Sequence, residues 1–185
     1  MTATIRTVSI ESTALTNAQS QRAAIERFIA ERFRSVYGAR VSHFCAHLLG
    51  LRDAAGRWHA AAGYTPAASG ALFLEHYLAR PIEDVLSEAV GQPVPRARIV
   101  EVGNLASVPP GFARSFVPAL GRYLLERDYR WVVFTATREV RALLRRLCFR
   151  AYALAPATPA HLPDRGVSWG SYYAHKPSVM AGRIG

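Results

Sequence analysis

The chain has 185 residues, half of them hydrophobic and 19% charged, with a formal net charge of +10. That balance excludes a disordered chain, and no apolar run approaches the ~18–20 residues that cross a bilayer. Two cysteines, Cys45 and Cys148, are too few for a disulfide framework, and Glu11 interrupts an N-terminus that lacks the apolar core of an export signal. One domain over residues 1–185, cytoplasmic and with reduced thiols, is the expectation. Lys176 is the sole lysine among 23 basic residues. An arginine surface suits nucleic acid, phospholipid head groups at a peripheral membrane contact, or an acidic carrier protein. Genome composition explains the same excess.

In chain order, Thr4–Ile10 reads as a first strand. A helix follows from Asn17, with Ile25, Phe28, Ile29, Phe33 and Val36 at helical spacing and Gly38 as its stop. Val41–Leu51 and Trp58–Tyr64 read as a hairpin across Arg52–Gly56. Ala71–Leu78 is apolar around Glu75, and a short helix runs from Pro81 to Gly91 with Glu83 and Asp84 in its first turn. Arg96–Ser107 reads as a strand and Pro109-Pro110-Gly111 as a turn. The next helix extends to about Arg127, and Pro118 either delays its start to Ser115 or kinks it. Trp131–Thr135 is a buried strand, and Thr137 caps a helix carrying Val140, Leu143, Leu144 and Leu147. Ala151–Leu154 and Val167–Tyr173 read as the last strands. The hairpin implies antiparallel pairing, and the later alternation of strands and helices implies parallel pairing. The expected architecture is a mixed α/β sheet with helices on both faces.

His43, Cys45 and His47 alternate along the predicted strand, which invites a zinc reading. At ~3.3 Å per residue the two histidines would stand ~13 Å apart, too far for one ion, so no metal is assigned. CxxC and HExxH are both absent from the sequence. Arg138, Arg141, Arg145 and Arg146 flank one helix without interleaved aromatics, so specific nucleic-acid binding is not assigned. The sharpest feature is Val100-Glu101-Val102-Gly103-Asn104-Leu105-Ala106-Ser107. A carboxylate in an apolar strand is expensive unless solvated, paired or used, and Gly103-Asn104 favours a bulge. A strand splaying there opens a slot whose unpaired N–H groups can hold a thioester carbonyl, with Glu101 as base for an amine. The bland alternative is an edge-strand Glu beside a structural Gly.

Phe73-Leu74-Glu75-His76-Tyr77-Leu78 with Pro81-Ile82-Glu83, then Ile99–Ala106, Phe134-Thr135-Ala136-Thr137, Trp169-Gly170 and Tyr172-Tyr173 resemble the thermostable hemolysin family, related to the GNAT acyltransferases. The resemblance spans about residues 40–180. It implies a GNAT-like, partly splayed sheet and an N-acyltransferase moving a fatty acyl group from an acyl carrier protein or acyl-CoA to a small-molecule amine, with no bound cofactor. The alternative is a non-catalytic, membrane-active or binding protein. Glu101 also resembles the Glu of the autoinducer synthases' Glu-x-Ser-Arg-Phe, where Gly103, Asn104 and Leu105 replace Ser, Arg and Phe. Under this resemblance Glu101 and Asn104 are the catalytic candidates. Leu105, Ala106 and Ser107 orient the carbonyl, and Tyr64, Glu75, Tyr77 and Phe134 shape the substrate pocket. Gly111 and Ala113 match part of the GNAT pyrophosphate loop, although Pro109 and Pro110 lack N–H donors. Arg138, Arg141 and Arg145 are candidates for docking the donor.

Overall fold

The computed structural model describes residues 18–53, 55–108 and 113–185. The strand expected at Thr4–Ile10 and the turn at Pro109-Pro110-Gly111 lie outside them. Helix α1 spans Ala18–Tyr37 and buries Ile25, Ile29 and Phe33, whereas Val36 in its last turn stays exposed. Gly38 ends it at φ +68°, its N–H donating to the Arg34 carbonyl over 2.8 Å. Strand β1 is His47–Arg52 and starts six residues later than expected. The N–H groups of Cys45 and Ala46 donate instead to the side chains of Asn104 and Thr65. Side-chain acceptors thus replace a strand ladder there. β2, Trp58–Pro66, pairs antiparallel with β1 from His47↔Tyr64 to Arg52↔Trp58. The Asp53 carboxylate closes their turn by accepting the N–H groups of Ala55 and Arg57.

A one-turn 3-10 helix, Phe73–Tyr77, precedes α2, Ile82–Val90. β3 is Ile99–Ser107, α3 Ala113–Leu125, β4 Trp131–Ala136 and α4 Arg138–Arg146. α3 starts two residues before Ser115, and Pro118 sits inside it, so the helix forgoes one hydrogen bond. Thr137 caps α4 as expected, accepting from the Val140 N–H. β5 is Tyr152–Pro156 and β6 Ser178–Arg183. The strand expected at Val167–Tyr173 is instead two 3-10 turns, Val167–Trp169 and Tyr172–His175. Gly166 and Gly170 both have positive φ there, and a Cβ on Gly170 would lie 2.1 Å from the Tyr37 carbonyl oxygen. The chain bends tightly against α1 and cannot extend. β6, which the sequence did not suggest, inserts between β4 and β5.

The sheet order is β1-β2-β3-β4-β6-β5. Among the described strands only β3–β4 is parallel; β6 pairs antiparallel with both neighbours. This limits the parallel pairing expected for the second half to one junction. Val100, Val132 and Phe134 pack with Phe116, Leu120 and Leu124 of α3, and α4 covers the same face. Ile99 and Val133 pack with α2 on the other face, where α1 covers Leu48, Ala61 and Ala106. Helices therefore lie on both faces of a GNAT-like mixed sheet.

Candidate active site

The β3–β4 ladder runs from Ile99↔Trp131 to Val102↔Phe134 and stops, although β3 continues to Ser107 and β4 to Ala136. The strands part from Gly103 onward, at the Gly103-Asn104 stretch where the sequence suggests splaying. On its other side β3 carries a bulge against β2. Gly63 faces Gly103 and Ala61 faces Ala106, so Asn104 and Leu105 together oppose Ala62. Asn104 takes φ +53°, a left-handed conformation that Asn tolerates better than most residues. Its amide is engaged at both ends: Oδ1 accepts from Cys45 N at 2.9 Å and Nδ2 donates to His43 O at 3.2 Å. The facing glycines make this possible, because a Cβ on Gly63 would lie 2.5 Å from Cys45 Cβ and one on Gly103 3.1 Å from its sulfur. Burial, with Glu101 nearby, pushes the Cys45 thiol up to about 12, which makes it inert as a nucleophile.

A cavity of about 500 Å³ occupies the opening and passes from one sheet face to the other. On the α1 face it is lined by Glu101, Phe73, Tyr77 and Trp169; on the α3 face by Leu120, Leu124, Leu144 and Phe149. Glu101 points to the α1 face, as Ile99 and Val133 do. Its carboxylate accepts the N–H groups of Phe73 at 2.8 Å and Leu74 at 3.1 Å. These fill two of about four acceptor positions. Burial raises its pKa, the two N–H groups partly oppose this, and Glu75 adds to the rise, leaving Glu101 at about 7. A carboxyl poised there exchanges a proton near neutral pH.

Glu101, Asn104, Leu105, Tyr77 and Phe134, five of the residues singled out from the sequence, line this cavity. Tyr77 donates or accepts a 2.6 Å hydrogen bond with the Tyr173 hydroxyl. The other candidates are placed elsewhere. Tyr64 stacks on His47 at 4.6 Å between ring centroids and lies in the core, and Glu75 is turned away toward Arg96. Ala106 is buried beneath α1, and Ser107 pairs with Ala60 at the end of β3. Gly111 is outside the described residues, and Ala113 is the buried first residue of α3. Arg138 and Arg145 are exposed on α4. Arg141 is occupied, donating to the carbonyls of Ala136 and Lys176 and to Ser178 Oγ, where it fastens β4 to β6. His43, Cys45 and His47 do not share a strand; His43 stacks on Phe73 and His47 on Tyr64. Sequence reasoning missed Phe33, Tyr37 and Leu120 as cavity residues. Helical spacing marks Phe33 only as core, and Tyr37 falls outside that apolar face.

The model of the family described as thermostable hemolysin matches residues 15–185. The chain belongs to the thermostable hemolysin family. No protein of curated function matches it in sequence. Among solved structures, this hemolysin-family chain is similar to FeeM, an N-acyl amino acid synthase from uncultured soil microbes. That match has 14% identity over 99% of this chain and 93% of FeeM, with a TM-score of 0.66. LasI, an acyl-homoserine lactone (AHL) synthase, matches at 14% identity, 97% and 90% coverage and a TM-score of 0.62. A putative N-acetyltransferase from Lactobacillus plantarum matches at 12% identity, 97% and 99% coverage and a TM-score of 0.57. At these identities the likeness concerns the fold.

The stretches that carry the hemolysin-family resemblance converge on one place. The Phe73–Tyr77 turn supplies the two N–H groups on Glu101. Phe134, Thr135 and Thr137 line the cavity from β4 and the start of α4, and Trp169 and Tyr172 line it from the bent segment after β5. Glu75 holds the first of these stretches in shape. Its Oε2 accepts from Leu72 N at 2.8 Å, and its Oε1 accepts from Ile82 N at 2.9 Å and from Arg96 at 2.8 Å. Burial would raise the Glu75 carboxyl, but the Arg96 guanidinium and the two N–H groups hold it down at about 2. No described helix is long and apolar enough to cross a membrane.

Proposed function

We propose that this protein is an N-acyltransferase that moves a fatty acyl group from a thioester to an amine, with Glu101 as the base. The observation that carries the reading is a buried carboxylate with no cation beside it among the described residues, at an apolar cavity formed where two parallel strands part. The acyl chain occupies the side lined by Leu120, Leu124, Leu144 and Phe149. The thioester carbonyl sits at the β4-facing edge of Gly103–Ser107, which no described strand pairs, so N–H groups of that edge polarise it. Glu101 takes a proton from the ammonium, and the freed amine attacks the carbonyl carbon. The C–S bond breaks, and the thiolate leaves with the second nitrogen proton. Asn104 positions the His43–Cys45 segment rather than touching substrate. FeeM's description as an N-acyl amino acid synthase, and that of BjaI as a CoA-dependent AHL synthase solved with isopentyl-CoA, support the reaction class.

The donor is an acyl carrier protein or acyl-CoA in the cytoplasm. The exposed guanidinium groups of Arg138 and Arg145 suit an acidic carrier. The test supplies purified protein with both kinds of donor and a panel of amines and reads amide formation by mass spectrometry. Amide that forms with the wild type and is lost on Glu101→Gln supports the reading. Thioester that stays intact with every amine overturns it.

A further inference from the structure

Six aromatic rings, from Phe33, Tyr37, Phe73, Tyr77, Trp169 and Tyr172, line the cavity on the Glu101 side. They form a connected wall. Phe73 lies 5.9 Å from Trp169, Trp169 lies 5.2 Å from Tyr172, and Tyr172 lies 5.2 Å edge-on to Tyr37. Phe73 is the residue whose N–H binds Glu101, so the wall begins at the carboxylate. Burial, reinforced by His76, lowers the pKa of the neighbouring His43, which favours a neutral imidazole. Among the described residues the only Lys or Arg side chains lining the cavity are Arg122 and Arg183, on α3 and at the end of β6 beside Ile184. Arg183 pairs with Trp131, whereas Glu101 pairs with Val133. The two backbones are therefore two residues along and two strands across, on the order of 12 Å apart.

An amine carrying an α-carboxylate would bring a second negative charge to this wall beside Glu101, with no guanidinium among the described lining residues on that side to receive it. Desolvation and like-charge repulsion both oppose that. A primary ammonium on an apolar or aromatic body meets ring faces, which attract cations, and one carboxylate. Resting on the acyltransferase reading above, we infer that the acceptor is a primary amine without a carboxylate, of the arylalkylamine class, whose body stacks in the ring wall and whose nitrogen meets Glu101. The ammonium gives one proton to Glu101. The nitrogen forms the C–N bond as the C–S bond breaks, and amide and thiol leave while Glu101 returns its proton to solvent.

The experiment compares phenethylamine with phenylalanine, which share a ring and an amine and differ by one carboxylate. Both are offered with the same decanoyl thioester on coenzyme A and on carrier protein. A kcat/KM at least about 100-fold higher for phenethylamine is expected, the scale of an unpaired charge in an apolar site. Calorimetry without donor is run in parallel and is expected to show binding of phenethylamine alone. Acylation of phenylalanine at an equal or higher kcat/KM overturns the inference and leaves the acyltransferase reading standing. Selective binding of phenethylamine with no amide from either amine supports the amine preference and overturns the acyltransferase reading. No binding and no product with phenethylamine, while a carboxylate-bearing amine is acylated, also overturns the inference.

Discussion

Two carboxylates hold the same turn of chain and end in opposite states. Glu75 accepts the N–H of Leu72, just before the Phe73–Tyr77 turn; Glu101 reaches across from β3 and accepts those of Phe73 and Leu74. Each gains two backbone N–H groups. Glu75 also has Arg96, which in turn donates to Glu83 and to the carbonyls of Ala67 and Gly70, so its charge is neutralised within a closed network. Among the described residues Glu101 has no cation against its carboxylate, and it is 6% exposed. Backbone N–H groups alone do not offset that burial, and its pKa stays near neutral instead of falling to about 2 as at Glu75. The guanidinium beside Glu75 separates a carboxylate held ionised from one poised near neutral.

The largest effect expected from this contrast is on turnover. Glu101→Gln removes the base and should lower kcat by roughly 10²–10⁴-fold. Its stability should change by no more than about 2 kcal/mol, because two contributions oppose each other. Gln satisfies only one of the two N–H groups, which costs about 1–3 kcal/mol, while the penalty of a buried carboxylate disappears. Chemical denaturation and amide formation measured on the same sample separate the two effects. Full turnover in a folded variant would make Glu101 structural, like Glu75.

Glu75→Ala should show the reverse pattern. It leaves the Leu72 and Ile82 N–H groups and the Arg96 guanidinium short of an acceptor, and a loss of about 2–4 kcal/mol is expected in urea unfolding. Activity should fall only as far as the folded fraction does. Retained stability would mean that Glu83 and the backbone carbonyls suffice for Arg96.

The pH responses differ in sign. The folded-state pKa of Glu101 is raised, so the native protein holds an extra proton between about 4.5 and about 7. Stability should decline as pH rises across that window, by on the order of 3 kcal/mol, and Glu101→Gln should flatten the slope. Activity that needs the ionised base should instead rise through pH about 7 to a plateau. Glu75 is depressed, so its contribution is present above about 4.5 and is lost as pH falls through about 2. A stability profile that rises between pH 5 and 7 would remove the distinction between the two groups.

How much of this was legible depends on whether the signal was local. Helix α1, the β1–β2 hairpin, the Thr137 cap and the parting of β3 from β4 each follow from periodicity or from residues such as Gly103 and Asn104 that open a strand. Glu101 stood out because a charge in an apolar strand needs a reason. The roles of Glu75, Tyr64 and Arg141 were misplaced because they depend on partners distant in sequence: Arg96 is 21 residues from Glu75, and Ser178 is 37 from Arg141. Trp169, Tyr172 and Tyr173 have strand propensity, yet Gly166 and Gly170 turn the chain so that two of these rings face the cavity. β6 was hidden because Ser178-Val-Met-Ala-Gly-Arg follows a proline and contains a glycine, and its order comes from two partner strands.

The smallest expected effect tests whether Glu101 depends on the segment opposite it. Asn104 holds His43 and Cys45 through its amide, and His43 stacks on Phe73 at 4.9 Å, the ring next to the N–H that binds Glu101. Asn104→Gly keeps the φ of +53° without strain and loses both amide bonds. A cost of about 1–2 kcal/mol is expected, and Asn104→Ala should lose about 1 kcal/mol more because a Cβ disfavours left-handed backbone. If the amide only positions the segment, both variants should raise KM for the amine while kcat stays within about threefold of wild type. A kcat drop matching that of Glu101→Gln, with KM unchanged, would instead mean that Asn104 acts on the reacting carbonyl.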